Sequence, residues 1–144
     1  MIRRAVETDV EAIIEIWLSG SRLAHSFIPY DFWLSRVADM KAIYLPNSET
    51  YVREVENQLC GFVSLVDDHL AALFVYPSLQ SRGHGRQLLA FAQTKRKSLS
   101  LCVYTQNLRA VRFYEDSGFR VLEERQEIHA KQPELVMEWK AADP

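Results

Sequence analysis

LFVYPSLQSRGHGRQLL, residues 73–89, decides how this chain is read. Its first residues are apolar and strand-like, and Pro77 ends the strand because proline cannot donate to a sheet ladder. Gln80 to Gly85 is a short turn with two glycines. Leu88, Leu89, Phe91 and Ala92 then recur at helical spacing, so a helix is expected to about Lys97. Gly83 and Gly85 lack Cβ atoms, which lets the backbone take unusual dihedrals and lie close to a ligand. The first amides of a helix have no intrahelical partner, and its dipole favours an anion there. Strand, glycine turn and helix in this order suit a phosphate group, with Arg82 and Arg86 adding charge at the rim. A tight turn without any ligand satisfies the same pattern. The run lacks the Gly-Lys-Ser/Thr ending of a nucleotide P-loop and the third glycine of a dinucleotide fingerprint.

Upstream, the chain opens with an expected strand from Met1 to Ala5. Thr8-Asp9-Val10-Glu11 has the form of a helix capping box, and Val10, Ile13, Ile14, Trp17 and Leu18 follow at helical spacing. A second helix after Pro29 would place Phe32, Trp33, Val37, Met40 and Tyr44 on one side. The loop from Ser21 to Tyr30 carries His25, Phe27 and Tyr30, which can wall a substrate pocket or staple the chain into the helix. Strands at Thr50–Val55, Leu59–Val66 and Leu70–Tyr76 are joined by short turns and read as a meander. The last of these is apolar at nearly every position, as expected of a central strand covered on both faces.

Downstream, Ser100–Tyr104 is a further strand and Leu108–Ser117 a helix, with Gly118 at its C-terminal cap. Phe119–Glu127 and Glu134–Trp139 complete the chain as strands. The order β-α-α-β-β-β-α-β-α-β-β predicts an α/β fold around one mixed sheet. No repeat or linker interrupts residues 1–144, which are expected to form a single domain.

Composition narrows the function. The 144 residues are 48% hydrophobic and 25% charged, with 17 basic and 19 acidic side chains, and the net charge of −2 argues against nucleic acid as a partner. Arg82 and Arg86 open their helix while Lys95, Arg96 and Lys97 close it, so they cannot form one patch. No apolar run reaches the ~20 residues of a membrane helix, and no signal peptide is legible, so the expected location is the cytoplasm. Cys60 and Cys102 have no metal-ligand neighbours in sequence, so buried reduced thiols and no metal are expected.

Gln80-Ser81-Arg82-Gly83-His84-Gly85 resembles the Arg/Gln-x-x-Gly-x-Gly/Ala signature of the GNAT superfamily of N-acetyltransferases. Asn107 to Phe119, with Asn107, Ala110, Phe113, Tyr114, Gly118 and Phe119 in place, is similar to a second segment of that family, Asn-x-x-Ala-x-x-Phe-Tyr-x-x-x-Gly-Phe. The element order matches from end to end, and His25 to Ile28 looks like a subgroup of small bacterial single-domain members. The resemblance implies a mostly antiparallel central sheet flanked by helices and acetyl-coenzyme A as cosubstrate. It implies that the backbone of Phe74 and Val75 pairs with pantetheine, and that Gln80, Ser81, Arg82, Gly83, His84, Gly85 and Arg86 hold the pyrophosphate. Asn107 and Tyr114 would lie near the pantetheine and sulfur, where strands Leu70–Tyr76 and Ser100–Tyr104 splay apart.

The chemistry so implied is attack by a primary amine, from a protein lysine or a small molecule, on the thioester carbonyl. The amide of Val75 would stabilise the oxyanion, and Tyr114 would protonate the departing thiolate as general acid. No residue is marked as general base. His25, the Asp67-Asp68-His69 turn and a chain of waters are all open, and His25, Phe27 and Trp33 are the acceptor-site candidates. A catalytically silent acyl-coenzyme A sensor is the competing reading, and monomer and homodimer are both compatible with the sequence.

Overall fold

Residues 1–142 are described by the computed structural model, and seven of their segments pair into one sheet. These are β1 (Ile2–Arg4), β2 (Glu49–Val55), β3 (Gln58–Val66), β4 (His69–Val75), β5 (Ser98–Tyr104), β6 (Arg120–Gln126) and β7 (Pro133–Lys140), in the order β1-β2-β3-β4-β5-β7-β6. Every pairing is antiparallel except that of β4 with β5. The helices are α1 (Val10–Ala24), α2 (Tyr30–Ser35), α3 (Val37–Asp39), which runs into a π turn at Met40–Tyr44, α4 (His84–Lys95) and α5 (Leu108–Asp116). No described helix is long and apolar enough to cross a membrane.

The two-residue period of the strands sorts the core into two layers. Val52 and Phe62 face Ile13, Ile16 and Trp17 of α1, with Trp33 and Met40 behind them. Tyr51, Val63 and Leu65, one residue along, face the opposite way onto Leu88, Leu89 and Ala92 of α4 and Tyr114 of α5. Phe62, Val63, Ile16 and Leu88 are all fully buried, so both faces of the sheet are sealed at its centre.

Five expectations change. The Thr8 capping box does not form; a 3-10 turn at Glu7–Asp9 precedes α1 instead. The Asp9 carboxylate accepts the Val6 amide at 2.8 Å and holds the Arg3 guanidinium at 2.8 and 3.1 Å, a charged pairing that outweighs a neutral hydroxyl cap. Helix α1 continues to Ala24, through the first four residues of the expected loop, and α4 stops at Lys95, where Arg96 turns to pair with Glu49 at 3.1 Å. Cys102 is only partly buried, with the Arg125 guanidinium 3.2 Å from its sulfur, while Cys60 is buried as expected. Finally, β4 is central yet not covered: Ala71 is exposed, and Ala72, Leu73 and Phe74 are half-buried.

The reason is the pairing between β4 and β5. Their register holds only at His69 and Ser100, where the Ser100 amide also bonds the Asp68 carbonyl at 2.9 Å. Beyond that point the strands part, and the apolar residues of β4 line open space. On its other edge β4 approaches β3 closely. A Cβ on Gly61 would stand 2.5 Å from the Phe74 carbonyl oxygen, a backbone atom that cannot swing aside. Gly61→Ala is therefore expected to destabilise the protein by about 2–3 kcal/mol, read as a lower midpoint in urea unfolding; an unchanged midpoint would show that β4 can shift freely.

Candidate active site

The parting of β4 from β5 opens a cleft of about 780 Å³. Antiparallel alternation decides what the strand offers to it. The Tyr76 amide bonds the Cys60 carbonyl at 2.9 Å, and Gly61 stands opposite Val75. The N–H and C=O groups of Val75 and Leu73 therefore point away from β3 and into the gap. Phe74, expected to share in backbone pairing with a ligand, turns its carbonyl toward β3 and lends the cleft its ring instead. An extended ligand with its own amides can continue the sheet along this edge.

The cleft ends at the start of α4. Gly83 takes a left-handed conformation, φ +87°, and Ser81 before it also has positive φ, +65°. The first helical bond from this end runs from the Gln87 amide to the Gly83 carbonyl at 3.0 Å, so the amides of His84, Gly85 and Arg86 precede the bonded ladder. Gly85 itself is an ordinary helical residue, and only Gly83 needs glycine for its dihedral. Side chains brace the turn from three directions. Gln80 donates to the Val75 carbonyl at 3.5 Å. Arg109 of α5 donates to Gln80 Oε1 at 3.0 Å and to Ser81 Oγ at 2.7 Å. Arg53 of β2 donates to His84 Nδ1 at 2.9 Å, and burial together with Arg53 and Arg82 holds that imidazole below its ordinary pKa. His84 thus keeps its proton on Nε2, as a neutral donor.

Asn107 caps α5, its Oδ1 accepting the Ala110 amide at 3.3 Å, and with Leu108, Ala110 and Phe113 it forms the wall opposite β4. Tyr114 does not line that wall. It is 9% exposed and packs behind Phe113 and against Phe119, ring centroids 5.3 and 5.5 Å away, and burial pushes its phenol well above the ordinary range. Arg82 is exposed and also stands off the cleft, whereas Gln80, Ser81, Gly83, His84, Gly85, Arg86 and Asn107 all border it.

A second cavity, about 530 Å³, lies beyond the gap and is walled by Trp17, Phe32, Trp33, Met40, Tyr44 and Tyr104. The two cavities share His25, Leu73 and Phe74 as lining residues, so they meet at the parting of the strands. Trp33 therefore borders the second cavity, and Phe27 reaches it only indirectly, by packing on His25 and Tyr104 at 5.9 and 5.7 Å between centroids. Tyr30 lies under Arg22, 4.8 Å from its guanidinium carbon, and takes no part. The Asp67-Asp68-His69 turn sits at the closed end of the gap, where His69 bonds Ser100 at 3.0 Å. Sequence reasoning missed Arg53, Arg109 and Tyr104. Arg109 sits at a free position of the second motif, and Arg53 is a strand residue whose partner lies 31 positions on, so no local signal marks either. Among the described residues, no three His, Cys, Asp or Glu side chains gather as a metal site.

Residues 22–137 match the family model described as an acetyltransferase (GNAT) domain. The chain is 34% identical over 140 residues to the peptidyl-lysine N-acetyltransferase YiaC of Escherichia coli (strain K12), covering 96% of each protein. Among solved structures it resembles apo-form YjaB from Escherichia coli, with a TM-score of 0.85, 28% identity and 99% and 98% of the two chains covered. It also resembles the PaiA N-acetyltransferase from Thermoplasma acidophilum in complex with coenzyme A, with a TM-score of 0.80, 19% identity and 97% and 98% coverage. At that identity the second likeness concerns the fold.

Proposed function

The chain belongs to the GNAT acetyltransferase family, and from that premise we propose that residues 1–144 act as one domain transferring the acetyl group of acetyl-coenzyme A to a primary amine, a protein lysine in the first instance. One observation carries the reading: the cleft at the parted strands ends in oriented amides on one side and opens into a second cavity on the other. Two substrates can then meet at a single point from opposite directions. The residues present suit the cosubstrate. The exposed edge at Leu73 and Val75 matches the amides of pantetheine, and the amides of His84, Gly85 and Arg86, with the Arg86 side chain, suit a pyrophosphate. The relatives named peptidyl-lysine N-acetyltransferases support lysine as the acceptor class.

The Val75 amide, directed into the gap, is the donor placed for a developing oxyanion. Tyr114 carries its proton throughout the neutral range because burial disfavours the phenolate. We assign it to the departing sulfur, from its place directly behind Phe113 in the cleft wall.

Calorimetric titration with acetyl-coenzyme A, with ATP and NAD as controls, tests the first half of this reading. Mass spectrometry of a lysine peptide incubated with both partners tests the second. Selective binding with acetylated peptide is the expected result. Binding without transfer to any amine would make the protein a sensor, and no binding by folded protein would remove the proposal altogether.

A further inference from the structure

We propose that Nε2 of His25 takes the proton from the attacking nitrogen as the new N–C bond forms. The inference rests on the acetyltransferase reading and adds to it the base that no motif marks. Three residues border both cavities, His25, Leu73 and Phe74, and of these only His25 carries a titratable group. It therefore stands where an amine arriving through one cavity meets a thioester arriving through the other.

Its protonation state follows from its neighbour. Asn107 has its Oδ1 committed to the Ala110 amide, so its amide nitrogen is the atom turned toward His25, 3.4 Å from Nε2. A nitrogen that faces an N–H donor presents a lone pair, which puts the ring proton on Nδ1. Nδ1 is buried and has no hydrogen-bond partner, so no carboxylate or carbonyl holds the ring in its charged form. At 3.4 Å the contact with Asn107 is long, and a cationic N–H, a stronger donor than a neutral amide, displaces it.

The surroundings suit a proton that stays briefly. His25 is 9% exposed and is ringed by Trp33 at 5.3 Å, Tyr104 at 5.0 Å, Phe27 at 5.9 Å and Phe74 at 6.4 Å between centroids. Burial alone lowers its pKa to about 4, so it waits as the neutral imidazole. Such a ring is too weak a base for a free alkylammonium. The second cavity, walled mainly by apolar side chains with Arg36, Glu127 and His129 also on its border, eases that demand, because desolvation favours entry of the neutral amine. Once the amine has added to the carbonyl, its nitrogen carries a positive charge beside an electron-poor carbon and becomes a strong acid.

The balance is complete. The amine lone pair forms the N–C bond, and one N–H proton passes to Nε2. The C–S bond breaks with its electron pair on sulfur, which takes the Tyr114 proton as the imidazolium proton passes through water to the phenol oxygen, so no free phenolate is left, only an amide and a thiol.

Two substitutions test this in the full chain. His25→Ala is expected to keep acetyl-coenzyme A affinity within about twofold and to lower turnover about 100-fold, the ordinary scale of general base catalysis. Added imidazole should restore much of it, and alkylimidazoles should rescue in order of their basicity. His25→Gln keeps a polar side chain of similar size but cannot hold a proton, so it should be as slow as His25→Ala and insensitive to imidazole. Native turnover in His25→Gln would overturn the proposal. So would a folded, cofactor-binding His25→Ala enzyme that no imidazole rescues, since that marks loss of packing instead. Failure of the underlying reading is separate, because it would show in the native protein as no cofactor binding or no acetylated amine.

Discussion

Gly83→Val is expected to weaken acetyl-coenzyme A binding about 100-fold, or about 2.8 kcal/mol, while leaving the core folded. A Cβ at position 83 would meet nothing within 4 Å, so the side chain itself is accommodated. The difficulty is the backbone. At φ +87° a β-branched residue is strained, and relief comes from rotating the peptide toward negative φ. That rotation redirects the first amides of α4 and moves Ser81 away from Arg109, which holds it at 2.7 Å. Hydrogen bonds from such amides to a charged group contribute about 1.5–3 kcal/mol each, so misaligning one or two accounts for the loss. Gly85→Ala is the matched control. Its Cβ would touch Phe113 and Val75 at 3.7 Å, ordinary contact, and its backbone is helical, so the turn should survive. Titration calorimetry on both variants, with circular dichroism for the fold, decides the matter. Full affinity in Gly83→Val would separate the turn from the cofactor.

Tyr114→Phe should lower turnover about 100-fold, within the usual range for loss of a general acid, with acetyl-coenzyme A affinity within about twofold. The ring is retained, and with it the contacts to Phe113, Phe119 and the core around Leu88 and Leu89, so melting should barely move. The substitution thus isolates the hydroxyl. Tyr114→Ala would confuse the issue, since emptying this site costs about 3–5 kcal/mol on the scale of large core truncations. Steady-state kinetics with a lysine peptide is the measurement. Because Tyr114 stands behind the cleft wall, unchanged turnover in Tyr114→Phe would give the sulfur's proton to water and leave Tyr114 as a packing residue.

Much of this protein is local and was legible as such. The turn from Gln80 to Arg86 could be read from seven residues, because a positive φ, a run of free amides and an apolar helix face all depend on near neighbours. Asn107 as a cap and Gly118 as a stop are equally local, and the structure places both at the ends of α5, Gly118 with φ +96°. The two-layer core follows from strand alternation, so the α/β class and mixed sheet were within reach as well. The Thr8 capping box failed because a charge outside the four-residue motif intervened: Arg3, six residues before Asp9, reaches it and changes which group caps the turn.

What only the tertiary structure decided is how far β4 stays paired with β5. A run of apolar residues at 70–76 reads as a strand covered on both faces, yet the ladder ends after His69 and Ser100. Pairing in a parallel sheet is set by helices crossing between strands, here α4, and not by the composition of either strand. From that parting come the exposed edge of Leu73 and Val75, the meeting of two cavities, and the placing of His25 between Phe74 and Tyr104, which lie 49 and 79 residues further along the chain. The sequence by itself determined the parts that short-range geometry controls: the glycine turn, the caps and the faces of the elements. The point where the two cavities meet depends on contacts between residues far apart in the chain, and those exist only once the sheet has closed on its helices.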